Sequence, residues 1–243
     1  MKKRIISAML ITAMAAAMTA GCGTKEEAPA TETAAESGTE EAVKLEDDTD
    51  APESEAAGTE KSGDTFTVGF DQDFPPMGFV GEDGEFTGFD LELAAEVAKR
   101  LDKEIVYQPI AWDAKDMELE SGTIDCIWNG FTMNGREDSY TWSEPYMKNN
   151  QVFVVKADAG ISTKEDLAGK VVDVQTDSSA EAALKEDEEL MNSFGQLVTV
   201  ADYNTAFMDL ESGAVDAIAM DDVVASYQIE QRQVDFVVLD ETL

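Results

Sequence analysis

Beyond residue 64 the chain alternates strand-like and helix-like patterns, and it does so in two successive series. Phe66 to Phe70 reads as a strand, Gly81-Glu82-Asp83-Gly84 as a turn, and Phe89 to Leu101 as a helix with Leu91, Ala94, Val97, Ala98 and Leu101 on one face. Ile105 to Gln108 (strand), Trp112 to Leu119 (short helix) and Ile124 to Trp128 (strand) complete the first series. The second begins at Gln151, with strands expected at Val152 to Val155, Val171 to Val174, Leu197 to Val200, Val215 to Met220 and Asp235 to Leu239. Helix patterns lie around Ala180 to Leu190, Tyr203 to Leu210 and Val223 to Gln231. Strands alternating with helices at this spacing predict α/β architecture with largely parallel sheets. Two series predict two lobes, 65–150 and 151–239, and a cleft between lobes is a natural small-molecule site.

The first 64 residues stand outside that pattern. Lys2, Lys3 and Arg4 form a positive start, Ile5 to Met18 an apolar run too short to span a bilayer comfortably, and Thr19-Ala20-Gly21-Cys22 a small-residue cleavage site. This resembles a bacterial lipoprotein signal over residues 1–22, in which Cys22 becomes the lipidated first residue of the mature chain; the alternative is an ordinary secretory signal. Residues 23–64 are rich in Glu, Thr, Ala, Ser, Gly and Asp and poor in large apolar side chains. Such a stretch buries too little surface to offset its chain entropy, which predicts a disordered acidic tether.

Composition then removes whole classes of function. Against 17 Lys+Arg stand 52 Asp+Glu, a formal charge of −35, so no nucleic-acid partner is expected, because phosphate backbones are bound by clustered cations. With no His and two Cys the chain cannot build a Cys/His zinc site or a His-based triad, and no metal or cofactor is expected. Asp47-Asp48-Thr49-Asp50 lacks the spacing of a calcium loop. Cys126, inside an apolar run, reads as a buried, inert thiol.

Several stretches of the second part resemble the extracellular solute-binding proteins of amino-acid ABC importers, polar amino-acid type. They are Asp71-Gln72-Asp73-Phe74-Pro75-Pro76, Gly88-Phe89-Asp90, Ser121-Gly122-Thr123-Ile124-Asp125, Gly130-Phe131-Thr132 followed by Arg136, Ser143-Glu144-Pro145-Tyr146, and Gly213-Ala214-Val215-Asp216-Ala217. The resemblance implies an α/β, two-lobed periplasmic-binding-protein type II fold that closes on its ligand. It also implies that the chain is C-terminally truncated: residues 240–243 would start a crossover returning to the first lobe.

A free α-amino acid is a zwitterion. Its receptor needs a cation and paired donors for the carboxylate, an anion for the ammonium, and a wall for the side chain. Arg136 suits the carboxylate, since Arg presents a planar fork and only Arg100, Arg136 and Arg232 occur beyond residue 64. A surface ion pair of Arg136 with Glu137 or Asp138 is the other reading. Gly130 and Thr132 are expected to offer backbone groups and a hydroxyl, or else to form a simple Gly-containing turn. Ser178-Ser179-Ala180-Glu181 has capping-box spacing, with Ser178 as N-cap; a helix N-terminus also suits an anion, and the resemblance implies that Ser178 and Ser179 hold the ligand. It further implies that Asp221 binds the α-ammonium, Asp222 being the helix cap; the alternative is that both are exposed caps. Phe74 and Trp112 resemble the walls on the ligand side chain, with Asp71 at its polar end, unless the two aromatics are simply core.

These residues and the resemblance together lead to a monomeric, lipid-anchored receptor on the extracytoplasmic face of the membrane. It is expected to capture a free amino acid, polar or cationic, and deliver it to ABC permease subunits. Lobe closure about the crossover near residues 146–152 would be its mechanism. A ligand-sensing domain of a signalling protein and a dehydratase-like enzyme use the same fold and are the alternatives.

Overall fold

The computed structural model describes residues 63–243; the expected signal, Cys22 and nearly all of the expected tether lie outside the described residues. The first half contains β1 (Thr65–Phe70), β2 (Asp73–Phe74), β3 (Gly78–Val80), β4 (Phe86–Thr87), α1 (Phe89–Arg100), β5 (Glu104–Pro109), α2 (Lys115–Glu120) and β6 (Cys126–Ile127). β1 is the middle of a sheet of order β5-β1-β6 and runs parallel to both neighbours. Parallel neighbours need a crossover, and α1 and α2 supply the two connections. α1 buries Leu91, Ala94 and Ala98, the spacing of one helical face, and the predicted Leu101 is exposed just past its end. β2, β3 and β4 form a separate antiparallel sheet joined by the predicted turn, in which Gly84 N donates to Gly81 O at 3.0 Å.

The second half contains β7 (Gln151–Lys156), β8 (Val171–Gln175), α3 (Ser179–Glu186), α4 (Glu188–Ser193), β9 (Gln196–Val200), α5 (Tyr203–Ser212), β10 (Ala217–Asp221), α6 (Asp222–Arg232) and β11 (Phe236–Val238). Its sheet has the order β11-β7-β10-β8-β9, with β10, β8 and β9 parallel and β7 antiparallel to β10 and β11. Both faces of this sheet are covered, so its central strands are mostly apolar on both faces rather than alternating, with Asp173 of β8 as a buried exception. Val152, Val154, Ile218 and Met220 face a cluster with Tyr203, Ala206, Phe207 and Leu210 of α5. Phe153, Val155, Ala217 and Ala219 face the other side, against Leu167, Ala180 and Leu184. Each fully buried Leu or Phe contributes about 1.5–3 kcal/mol of apolar transfer. Gly213 closes α5 with φ +80°, a left-handed cap that a Cβ would strain.

Three sequence expectations change. The strand expected over Ile124 to Trp128 shrinks to Cys126–Ile127, because Ile124 leaves the ladder to fill the space over Gly69. Cys126 is half-buried rather than buried. The helix expected from Ala180 to Leu190 breaks at Asp187, whose side chain accepts from Leu190 N at 3.1 Å and starts α4.

Asp173 lies inside β8 with no exposed surface. Burial, reinforced by the Asp209 carboxylate, pushes its pKa from the ordinary 3.8 up to about 7. A raised acid binds its proton more tightly folded than unfolded. Its contribution is therefore intact below the unfolded value and is lost as pH rises through about 7. Asp173→Asn is expected to raise unfolding stability at pH 8 by about 1 kcal/mol or more and to change little at pH 4. Urea unfolding at the two pH values measures this, and an equal effect at both would refute the assignment.

Candidate functional site

The loop after β6 carries most of the polar groups that the sequence singles out. Gly130 adopts φ +59°, a left-handed conformation suited to glycine, and its N–H is held by Asp90 from the first turn of α1. Asp90 is fully buried and also accepts from Tyr146 OH at 2.8 Å; burial pushes its pKa up to about 6. Arg136 follows in a turn closed by its own N–H on Met133 O at 2.9 Å, while Trp142 Nε1 donates to Arg136 O at 3.1 Å.

The Arg136 guanidinium lies over the Phe131 ring, 5.1 Å from its centroid. One nitrogen donates to Ser179 Oγ at 2.7 Å and to Thr132 O at 3.4 Å, and the other to Asp177 O at 3.2 Å. Among the described residues no carboxylate forms an ion pair with Arg136, Glu137 and Asp138 included. Its partners are neutral oxygens, two of them contributed by the second half of the chain.

Ser178 caps α3, its Oγ accepting from Glu181 N at 3.1 Å. The reciprocal arm differs from a standard capping box: Glu181 Oε2 accepts from Asp177 N at 2.7 Å rather than from Ser178 N. Ser178 is thereby buried, whereas Ser179, half-buried, turns its hydroxyl to Arg136.

Asp221 ends β10 and is 5% exposed. Its Oδ1 accepts from Gln151 Nε2 at 2.7 Å and from Asn149 Nδ2, and burial raises its pKa. Asn149 Nδ2 also reaches Thr132 Oγ1 at 3.3 Å, so one amide joins the hydroxyl and the acid. Asp222, expected as the cap, is the first residue of α6, and its carboxylate accepts from Asn150 Nδ2 at 2.9 Å. Asp221 occupies the cap position without a side-chain cap bond, its oxygens being turned to the amides instead.

Two cavities meet these groups. One of about 150 Å³ is lined by Phe74, Met77, Gly130, Thr132, Asn149 and Asp221, among others. The second, of about 660 Å³, is lined by Thr132, Arg136, Asn149, Gln151, Asp177 and Ser179, among others. Thr132 and Asn149 belong to both, so the structure brings together Phe74, Gly130, Thr132, Asp221, Arg136 and Ser179 around them. The pair offers an anion, an aromatic wall and a hydroxyl on one side, and a guanidinium with a helix-end hydroxyl on the other.

Three expected residues stand elsewhere. Ser178 lines neither cavity. Asp71 is buried, its two oxygens taken by Asp73 N at 2.8 Å and Gln175 Nε2 at 2.7 Å, and burial pushes its pKa up to about 6. Trp112 is buried edge-on to Phe131, with ring centroids 5.3 Å apart. Asn149 and Gln151 were not anticipated; the run Asn149-Asn150-Gln151 directly before a buried strand was the available signal. Among the described residues no cluster of His, Cys, Asp or Glu could hold a metal ion.

The chain is similar to the L-cystine-binding protein TcyJ of Escherichia coli (strain K12), 35% identical over 164 residues, which cover 66% of this chain and 60% of that protein. A probable histidine-binding protein of Campylobacter jejuni is 31% identical over 159 residues, 65% of this chain and 60% of that one. The chain thus spans about 60% of the length of these curated relatives. Among solved structures, an ABC uptake transporter substrate-binding protein from Streptococcus pneumoniae with bound histidine superposes with a TM-score of 0.70 at 38% identity, covering 72% of this chain and 74% of that one. The architecture is accordingly the two-lobed type II periplasmic-binding-protein fold. With residues 66–221 matching the family profile from β1 to the end of β10, the chain belongs to the bacterial extracellular solute-binding proteins, family 3.

Proposed function

We propose that this chain is the receptor of an ABC importer: it captures a free amino acid outside the cytoplasm, closes two lobes on it, and delivers it to the permease subunits. The lobes are 65–150 and 151–239, with the crossover near 146–152 as hinge, and Cys22 carries the lipid that anchors a monomer to the membrane. One observation carries the reading. Arg136, without a carboxylate partner among the described residues, reaches Ser179 in the second half, while Asp221 is buried and joined to Thr132 through Asn149. That arrangement suits the two charged ends of an amino acid.

In this assignment Arg136 and Ser179 take the α-carboxylate, Asp221, Thr132 and the Gly130 backbone take the α-ammonium, and Phe74 packs on the side chain. Ser178 acts by capping the helix that presents Ser179. Trp112 packs on Phe131, the platform of the Arg136 guanidinium, and Asp71 joins the two halves through Gln175. An ammonium beside Asp221 restores the charged form that burial disfavours, so binding and ionisation favour each other. Contacts from both halves exist together only in the closed form, and closure is favoured by that difference. No step requires an acid or base catalyst, and the chain is a binding protein rather than an enzyme.

The relatives are named for cystine and histidine, both polar amino acids, which favours a polar or cationic ligand here. A thermal-shift panel of the common amino acids and cystine tests the reading, since a ligand of the native state raises apparent stability by mass action. At least one polar member is expected to raise the melting temperature by several degrees at 1 mM, an effect expected of roughly 3 kcal/mol of binding linkage. No shift with any member would overturn the reading.

A further inference from the structure

Lys115 is the least expected residue in the fold. It opens α2 on an otherwise acidic, short helix, yet it is 1% exposed. Its Nζ donates to the Asp177 carboxylate, with Trp112 O and Asp177 O each at 3.4 Å, and it lies 5.2 Å from the Trp112 ring centroid. Asp177 belongs to the other half of the chain, on the turn that leads from β8 into α3, and it holds φ +57°. Arg136 donates to the same carbonyl oxygen, that of Asp177, at 3.2 Å. Two cations of the first half therefore grip one residue of the second, and that residue immediately precedes Ser178 and Ser179.

We infer that the Lys115–Asp177 pair is a ligand-independent clasp between the two halves, which registers Ser179 against Arg136 and sets how much of the protein is closed before a ligand arrives. The inference rests on the two-lobe closure proposed above. A buried ammonium is costly unless paired, and separating the halves removes the one carboxylate partner that Lys115 has among the described residues. The pair therefore favours the closed arrangement even with the cavities empty. Asp177 is half-exposed and accepts Lys115 from the rim, so the clasp can open without unfolding either sheet. A receptor already biased towards closure forfeits less of its ligand's binding energy on closing, so the pair makes Lys115 and Asp177 positioning residues for affinity.

Hydrogen–deuterium exchange on the full chain, without ligand, reads the clasp crosswise. Lys115→Met is expected to speed exchange at residues 176–183 at least fivefold, and Asp177→Asn to do the same at residues 112–120; Asn tolerates the left-handed backbone at this position. Exchange in β8 and β10 should stay unchanged in both variants. With the amino acid found by the panel, each variant should release ligand at least tenfold faster, about 1.4 kcal/mol, with little change in association rate. Unchanged exchange at the opposite partner, or a uniform rise throughout the chain, would overturn the clasp. If no amino acid binds but the crosswise exchange pattern is found, the clasp stands and the ligand reading fails.

Discussion

Arg136→Ala is expected to weaken binding of the amino acid at least a hundredfold, about 3 kcal/mol or more, while leaving the ligand-free melting temperature within a few degrees. The size follows from the geometry. The guanidinium is half-buried, its ring platform is Phe131, and its hydrogen-bond partners are neutral oxygens. A ligand carboxylate replacing one of these weak partners gains a charge-assisted, paired interaction. Removing the cation leaves that carboxylate desolvated and unpaired. The small effect on stability follows from the absence of an ion pair to lose among the described residues. Calorimetric titration and melting of the variant check both parts, and an affinity loss below threefold would mean that Arg136 is only a surface charge.

Asp221→Asn is expected to weaken binding at least thirtyfold, about 2 kcal/mol, and to leave the empty protein as stable as before or more so. The acid is buried with its pKa raised, so the neutral amide relieves a desolvated charge in the absence of ligand. With an ammonium present the same change removes its counter-ion. Opposite signs for stability and affinity are the signature of a charge kept for a ligand. Asp222→Asn provides the control, since its carboxylate bonds Asn150 and lines neither cavity, and affinity should stay within threefold. Equal losses at the two positions, measured by the same titrations, would overturn the division of roles.

The large elements were legible because their side-chain periods are long enough to count. α1 and α5 were found from apolar residues at helical spacing, and β7 and β10 from buried apolar runs. β2, β3 and β4 were not, since strands of two or three residues contain no period, and their pairing is decided by the turns between them. The limits of β6 and the break at Asp187 are illegible for different reasons: the first is decided by tertiary packing of Ile124 over Gly69, the second by a local cap in which Asp187 accepts from Leu190 N and outweighs a continuous apolar pattern.

At the site, residue types carried the information and packing decided the rest. Arg136 stood out because arginines are few, but nothing in the sequence tells that its partners are Ser179 and two carbonyls. The resemblance tells Asp221 from Asp222, but the sequence puts the helix cap at Asp222 and the structure puts it at Asp221; the register of β10 against β7, which sets Asp221 opposite Gln151, turns its carboxylate to the amides. Lys115 was unreadable for the same reason, because its partner lies 62 positions away.

The central claim is that both charged ends of a free amino acid are held between Arg136 and Asp221. Titrating the wild-type protein by calorimetry with the amino acid selected by the panel, with its decarboxylated amine and with its N-acetyl derivative tests this directly. The account predicts that the amino acid binds and that each derivative binds at least a hundredfold more weakly, because each removes one of the two charges. An amine or acetylated ligand bound within threefold of the parent would contradict it.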